Sequence, residues 1–465
     1  MSDRPAADRE PGSYRDPSGF VFRRDGVLYR QVNQTFADDW SAFESSGLHA
    51  ALLSKALLIA DEPAALDVAA EPGAVAVIRP KEIGFISYPF EWSFSQLKDA
   101  ALLTLQAQAL AAEHGMTLRD ASAYNVQFQR GRPILIDTLS FERARPDEPW
   151  KPYRQFCEHF LAPLALMAHR DGRLGLLLRD FIDGVPLDLA SELLPRGTRW
   201  SPGLAAHVHL HARAQRQHAD GGREAAPKSV TMSQTRRLAL LDHLRRTVEG
   251  LRLPARGTEW ADYADQTSYS AAATASKETI VRDMLIAAGG KVAWDVGANT
   301  GRYSAIAVGA GYDVIALDID WAAVERHYLA LREAGEQRIM PLLADLADPS
   351  PAIGWANRER ASLLERATAD VVVALALVHH LAIGRNVPLG MVSELLARLG
   401  RSLIVEFVPK LDPMVQRLLA TREDIFPDYS LEGFRAAFMR HFRVIEETVV
   451  DDSRRVLFRM ERTAP

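Results

Sequence analysis

The sequence predicts an α/β protein in its C-terminal part, a parallel sheet flanked by helices and closed by an antiparallel hairpin, preceded by a separate α+β block. Three observations predict it. At 465 residues the chain is several times longer than one domain of roughly 150 residues needs, so at least two folded units are expected, each able to bury a core. From residue 292 onward, short apolar runs of strand length alternate with helix-length segments, the pattern of parallel strands joined by crossover helices. The last two strand-like runs, 442–449 and 455–461, are joined through Asp451-Asp452-Ser453, which is too short for a crossover and therefore predicts a hairpin.

Taken in order, residues 1–12 are charged, lack the apolar centre of a secretory signal, and are expected to be a disordered lead-in. Residues 13–210 form the first block, with a long helix over 95–114 and strands at 75–78 and 85–88. The polar stretch 211–228, with its Gly221-Gly222 pair, reads as a linker. Residues 229–275 are expected to be a helical lead-in or lid, and 276–465 the sheet domain. Its strands are predicted at 292–296, 314–317, 339–343, 371–377 and 403–407, with helices from Arg302 and over 321–333, before the hairpin. No period of 20 to 50 residues repeats, which excludes a solenoid or propeller.

Composition narrows the functional classes. Hydrophobic residues make up 48% and charged residues 25% of the chain, with 29 glycines and 25 prolines, so collagen-like and wholly disordered classes are excluded. The net charge of −5 gives no electrostatic reason to bind nucleic acid, and Arg236, Arg237, Arg245 and Arg246 read as a solvated helix face. One cysteine, Cys157, forms no intramolecular disulfide and no cysteine-rich zinc site, and no bound metal is expected. No apolar run approaches the ~20 residues of a membrane span. A soluble protein in the reducing cytoplasm is the expectation; its oligomeric state is left open.

The chemistry gathers at strand ends. Asp295-Val296-Gly297-Ala298-Asn299-Thr300-Gly301 ends the first strand on a carboxylate and continues as Gly-x-Asn-x-Gly. A turn that brings backbone close to a ligand needs positive φ, which glycine adopts freely and asparagine tolerates better than most residues. Gly301 opens the next helix, and the spacing departs from the Gly-x-Gly-x-x-Gly dinucleotide pattern. Asp318 ends the second strand 21 positions after Gly297, where a carboxylate can accept hydrogen bonds from both hydroxyls of a ribose; Asp320 competes for that role. The third strand leads to Asp345, and the fourth into Leu377-Val378-His379-His380-Leu381.

This ordered set, with the terminal hairpin, resembles the class I S-adenosylmethionine (SAM)-dependent methyltransferases over residues 276–465, Asn299 replacing the second glycine of their first motif. The resemblance implies a Rossmann-like seven-stranded sheet and SAM as cofactor. It implies that Asp295, Gly297, Asn299, Gly301 and Asp318 bind that cofactor, with Asp345 reaching the adenine amino group. Plainer roles stay open: Asp295 and Asp345 as turn caps, and His379 and His380 as hydrogen bonders at the sheet edge. The sulfonium methyl is already activated, so the protein chiefly aligns the acceptor and excludes water. A base such as His379 or His380 is needed only where an oxygen or nitrogen acceptor must lose a proton. The Asp/Asn-Pro-Pro-Tyr/Phe signature of adenine-N6 and glutamine methyltransferases is absent after the fourth strand, which argues against those two acceptors; with a negative net charge and no arginine-lysine stripe interleaved with aromatics, a small molecule or protein is expected rather than RNA. Glu406, ending the fifth strand, is a further candidate facing the cleft. Trp260, Tyr263, Tyr269 and Lys277 lie where related enzymes carry a lid, the alternative being an ordinary helix at the domain edge. The long connection over 409–429 is expected to help shape the acceptor pocket.

The first block has its own pattern. Leu118-Arg119-Asp120-Ala121-Ser122-Ala123-Tyr124-Asn125-Val126 resembles the catalytic loop of protein kinases and aminoglycoside phosphotransferases, with Asp137 twelve positions after Asn125. In that family the first aspartate orients a hydroxyl while the asparagine and second aspartate hold magnesium. No phosphate-binding lysine strand or full glycine-rich loop is present, Asp137-Thr138-Leu139 replaces Asp-Phe-Gly, and Arg30 is the candidate substitute for the lysine. A reduced kinase-like accessory domain that recruits or orients the acceptor is therefore expected. The alternatives are an active small-molecule kinase, a SAM-binding scaffold without turnover, and a mixed α+β domain in which these residues satisfy local turns.

Overall fold

A computed structural model describes residues 8–213, 231–254, 270–420 and 422–463. The chain mixes helices and sheets in two compact units: Met1–Ala255 with Ala352–Ala361, and Arg256–Pro351 with Ser362–Pro465.

In the first unit, β1 (Asp8–Arg9), β2 (Gly19–Arg24), β3 (Val27–Asn33), β4 (Asp61–Ala64) and β5 (Ala74–Pro80) form an antiparallel sheet in the order β1-β2-β3-β5-β4. Asp25 and Gly26 turn β2 into β3 with φ of +52° and +76°, the left-handed pair that a tight hairpin requires. The lead-in expected to be disordered is ordered from Asp8, because its backbone pairs with Arg23 and Phe22 of β2. Ser93 then caps the helix Phe94–Glu113: its hydroxyl accepts from the Gln96 amide, and the Gln96 side chain accepts from the Ser93 amide.

The expected strand at 85–88 does not form. The amide and carbonyl of Ser87 are satisfied by the side chain of Gln127, at 2.9 and 2.8 Å, in place of a neighbouring strand. After the helix, β6 (Met116–Leu118) pairs with a later strand, while β7 (Val126–Gln129) and β8 (Arg132–Leu135) form a hairpin; β9 (Phe141–Arg143) is the partner of β6. The helix Gln234–Gly250, expected to lead into the sheet domain, belongs to the first unit. It buries Leu241, Leu244 and Val248, and Lys98 donates to the carbonyls of Glu249 and Leu251, both at 2.9 Å. Residues 211–213 continue a helix rather than open a linker, and 214–228 lie outside the described residues.

The second unit holds β10 (Val292–Val296), β11 (Asp313–Asp318), β12 (Ile339–Leu343), β13 (Ala369–Ala374), β14 (Gly400–Phe407), β15 (Phe442–Val449) and β16 (Val456–Arg462). Their order is β12-β11-β10-β13-β14-β16-β15; the first five are parallel, and β16 runs antiparallel to both neighbours. The central strands read as apolar runs because they are covered on both faces. On one face Val281, Met284 and Leu285 of the helix Ala271–Ala288 pack against Ala293, Val314, Val371 and Ile404. Near the hairpin, Phe434 sits 4.1 Å from Phe438 and 5.2 Å from Phe458, ring centre to centre.

Strand order reverses between β10 and β13, so the crossover helices leave in opposite directions there. A crevice opens at the carboxyl ends of these strands. β13 stops at Ala374, short of the expected 377, because Ala376 takes a left-handed backbone, φ +49°. Among the described residues no helix is long and apolar enough to cross a membrane.

Candidate functional site

A cavity of about 410 Å³ occupies this crevice in the second unit. Its floor is the turn between β10 and the helix Arg302–Gly309. Gly297, Asn299 and Gly301 take φ of +81°, +50° and +88°, so the asparagine adopts the left-handed conformation that its residue type tolerates. The amides of Gly297 and Ala298 donate to the Leu317 carbonyl at 2.8 and 3.0 Å, tying the turn to the end of β11. At Gly301 a side chain has no room: a Cβ would lie 2.0 Å from Nε2 of the buried His327.

Two carboxylates border the turn. Asp295 is buried and accepts from the Ser304 hydroxyl at 2.6 Å; burial raises its pKa to about 6. Asp318 accepts from the Asn299 amide at 2.7 Å through one oxygen and from the Asp320 amide at 2.8 Å through the other, and burial also lifts it to about 6. Both line the cavity. Asp320 is instead the N-cap of the helix Trp321–Ala334, accepting from the Ala322 and Ala323 amides, and is not part of the cavity wall. Asp345 lines the cavity too, accepting from the Ala347 amide at 2.8 Å and pairing with Arg385 at 3.0 Å.

The two histidines separate. His380 lines the cavity, with its pKa pushed down to about 4 by burial and then by the charge of Arg455. His379 is 1% exposed, lies outside the wall, and packs against His380 with ring centres 4.1 Å apart and the planes tilted by 38°; burial keeps it well below the usual imidazole range. This corrects the expectation that either imidazole can meet an acceptor. Glu406 is also corrected. It is fully buried behind the wall rather than facing the cleft, accepting from Lys277 Nζ and the Ala376 amide, each at 2.7 Å. Lys277 and Tyr303 do line the cavity, the ammonium 4.9 Å from the centre of the tyrosine ring. Trp260, Tyr263 and Tyr269 lie outside the described residues. From the long connection after β14, Leu418 reaches the cavity.

In the first unit the kinase-like residues form one local network. Asp120 accepts from the Ser122 amide and from Gln155 Nε2, at 2.9 and 2.8 Å, and burial followed by the charge of Asp137 raises its pKa. Asn125 donates to the Ser140 hydroxyl at 3.3 Å, and Ser140 donates to Asp137. Burial pushes the Asp137 carboxyl up, but Arg30 of β3, paired directly with it, and Ser140 outweigh this and hold it below the usual range. Arg30 and the Leu139 amide donate to one oxygen of Asp137 and Ser140 to the other.

No family model matches the sequence. Over 468 aligned residues it is 34% identical to the nodulation protein NoeA of Rhizobium meliloti (strain 1021), covering 99% of this chain and 97% of that one. Among solved structures, the magnesium protoporphyrin IX methyltransferase ChlM of Synechocystis PCC 6803 aligns at 20% identity over 41% of this chain and 84% of its own, TM-score 0.29. The N-methyltransferase NodS of Bradyrhizobium japonicum WM9 aligns at 11% identity over 41% and 97%, TM-score 0.31. The bifunctional kinase-methyltransferase WbdD aligns at 14% identity over 43% and 42%, TM-score 0.30.

Proposed function

The chain belongs to the family of the nodulation protein NoeA, and we propose, from the geometry of its cavity, that it is a methyltransferase that uses SAM to methylate an oxygen or nitrogen of a small molecule or protein. One observation carries this reading. The turn through Gly297, Asn299 and Gly301, held to the Asp318 carboxylate by the 2.7 Å bond from Asn299, forms the floor of a cavity at the strand-order reversal of a Rossmann-like sheet that ends in a reversed hairpin. The fit to SAM is chemical: backbone free of side chains for close approach, and a carboxylate at each side of the turn for hydroxyl and ammonium donors.

Bound there, SAM supplies an electrophilic methyl group. The left-handed turn and Asp318 would hold the nucleoside end, Asp295 lies beside the turn, and Asp345 with Arg385 closes a further part of the wall. His380 is the imidazole on the cavity wall and the candidate base; burial and then the charge of Arg455 hold it at about 4, so it is neutral at pH 7 but a weak base unless the bound acceptor raises it. The first unit, whose Asp120, Asn125 and Asp137 are tied into their own network, recruits or orients the acceptor. Incubating the full chain with methyl-labelled SAM and cell metabolites, then measuring S-adenosylhomocysteine and labelled product, tests the activity. No S-adenosylhomocysteine above the protein-free control would contradict it.

The two raised carboxylates give this reading a pH signature. Asp295 and Asp318 move from 3.8 to about 6 on folding, so the stability they contribute is fully present below pH 3.8 and is lost as pH rises through 6. SAM favours their ionised forms. The increase in unfolding temperature that it causes is therefore expected to grow between pH 5 and 7.5, as scanning calorimetry would read; an increase independent of pH would contradict the assignment.

A further inference from the structure

Beside the cavity lies a buried charge cluster that the sequence does not announce. Lys277, Glu406 and Arg455 have side chains no more than 3% exposed. Lys277 donates to Glu406 Oε2 at 2.7 Å, Arg455 lies 3.5 Å from Oε1, and Arg455 is itself bonded to Asp412 at 2.7 Å. Removing so many charges from water is costly, and packed apolar side chains would serve stability as well. The same Oε2 accepts the amide of Ala376 at 2.7 Å.

Ala376 is the second anomaly. It holds φ at +49°, a region that L-residues other than glycine and asparagine avoid and that persists where the surroundings over-determine it. With Leu375 and Leu377 it forms cavity wall, and two residues later the chain begins the helical turn that carries His379 and His380. Two unfavourable features thus share one hydrogen bond at the edge of the candidate site.

We infer that Glu406, fixed by Lys277 and Arg455, is a positioning residue that holds Ala376 in its left-handed conformation and so pre-forms the cavity wall for SAM. The inference rests on the proposed reading of the cavity as the SAM site. Strain at Ala376 is maintained by the carboxylate in the free protein, so the wall need not be ordered when the cofactor arrives.

The test is SAM titration by calorimetry of the full chain and three variants. Ala376→Val leaves every charge in place but puts a β-branched side chain at positive φ; SAM binding is expected to weaken about tenfold or more. Glu406→Gln removes the clamping charge and is expected to weaken binding similarly. In Glu406→Gln/Ala376→Gly the glycine takes positive φ without a clamp, so roughly threefold or more of the lost affinity should return. If Glu406 served only general stability, glycine would loosen the chain and restore nothing. Single variants that bind SAM within about twofold of wild type, or a folded double variant that binds no better than Glu406→Gln, would overturn the inference. Should Glu406→Gln fail to fold, Glu406→Gln/Ala376→Gly decides: a folded double variant that binds SAM within about threefold of wild type supports the inference, and one that binds no better than Ala376→Val overturns it. A wild-type chain that takes up no SAM would instead overturn the reading of the cavity, a result distinct from either.

Discussion

Gly301→Val is expected to abolish SAM binding and to destabilise the second unit by about 3 kcal/mol or more. A β-branched residue at φ +88° is strained by roughly 1–2 kcal/mol, and overpacking a filled site typically adds about 1–3. The added Cβ meets His327, which is buried and cannot swing into water. Gly309→Ala, at the other end of the same helix and with nothing within 4 Å of a built Cβ, is the matched control and should be neutral or slightly stabilising. Urea unfolding of the two variants checks this; equal stabilities would show that the turn has room to relax.

Asp318→Ala carries the second large effect. It removes the acceptor for the Asn299 and Asp320 amides and, on the proposed reading, for the cofactor's hydroxyls. SAM affinity is expected to fall by about 1–3 kcal/mol, roughly five- to 150-fold, since each lost bond is to a charged group. Asp320→Ala should instead act on stability, by about 1 kcal/mol through the lost helix cap, with little change in SAM affinity. Calorimetric titration of both variants separates them, and the reverse ranking would move the ribose contact to Asp320.

Much of this site was legible in the sequence because its chemistry is local. Asn299 at a position needing positive φ, Asp318 at a strand end, and a connection too short for a crossover before the last strand all follow from neighbouring residues. What escaped was set by contacts distant along the chain. Nothing near Glu406 indicates that Lys277, 129 positions away, takes its carboxylate, and the kinase resemblance that groups Arg30 with Asp137, 107 positions on, does not say that the two pair directly. Adjacent residues on a helical turn point about 100° apart, and sequence alone does not say which of His379 and His380 lines the cavity. The absent strand at 85–88 failed for the same reason: a side-chain amide, that of Gln127, stood in for its ladder partner.

Calorimetric titration of the wild-type chain with SAM at pH 7.5 tests the central claim most directly. A saturable isotherm with one SAM per chain, weakened in Asp318→Ala, is the predicted result. No saturable heat from a folded wild-type protein would contradict the account.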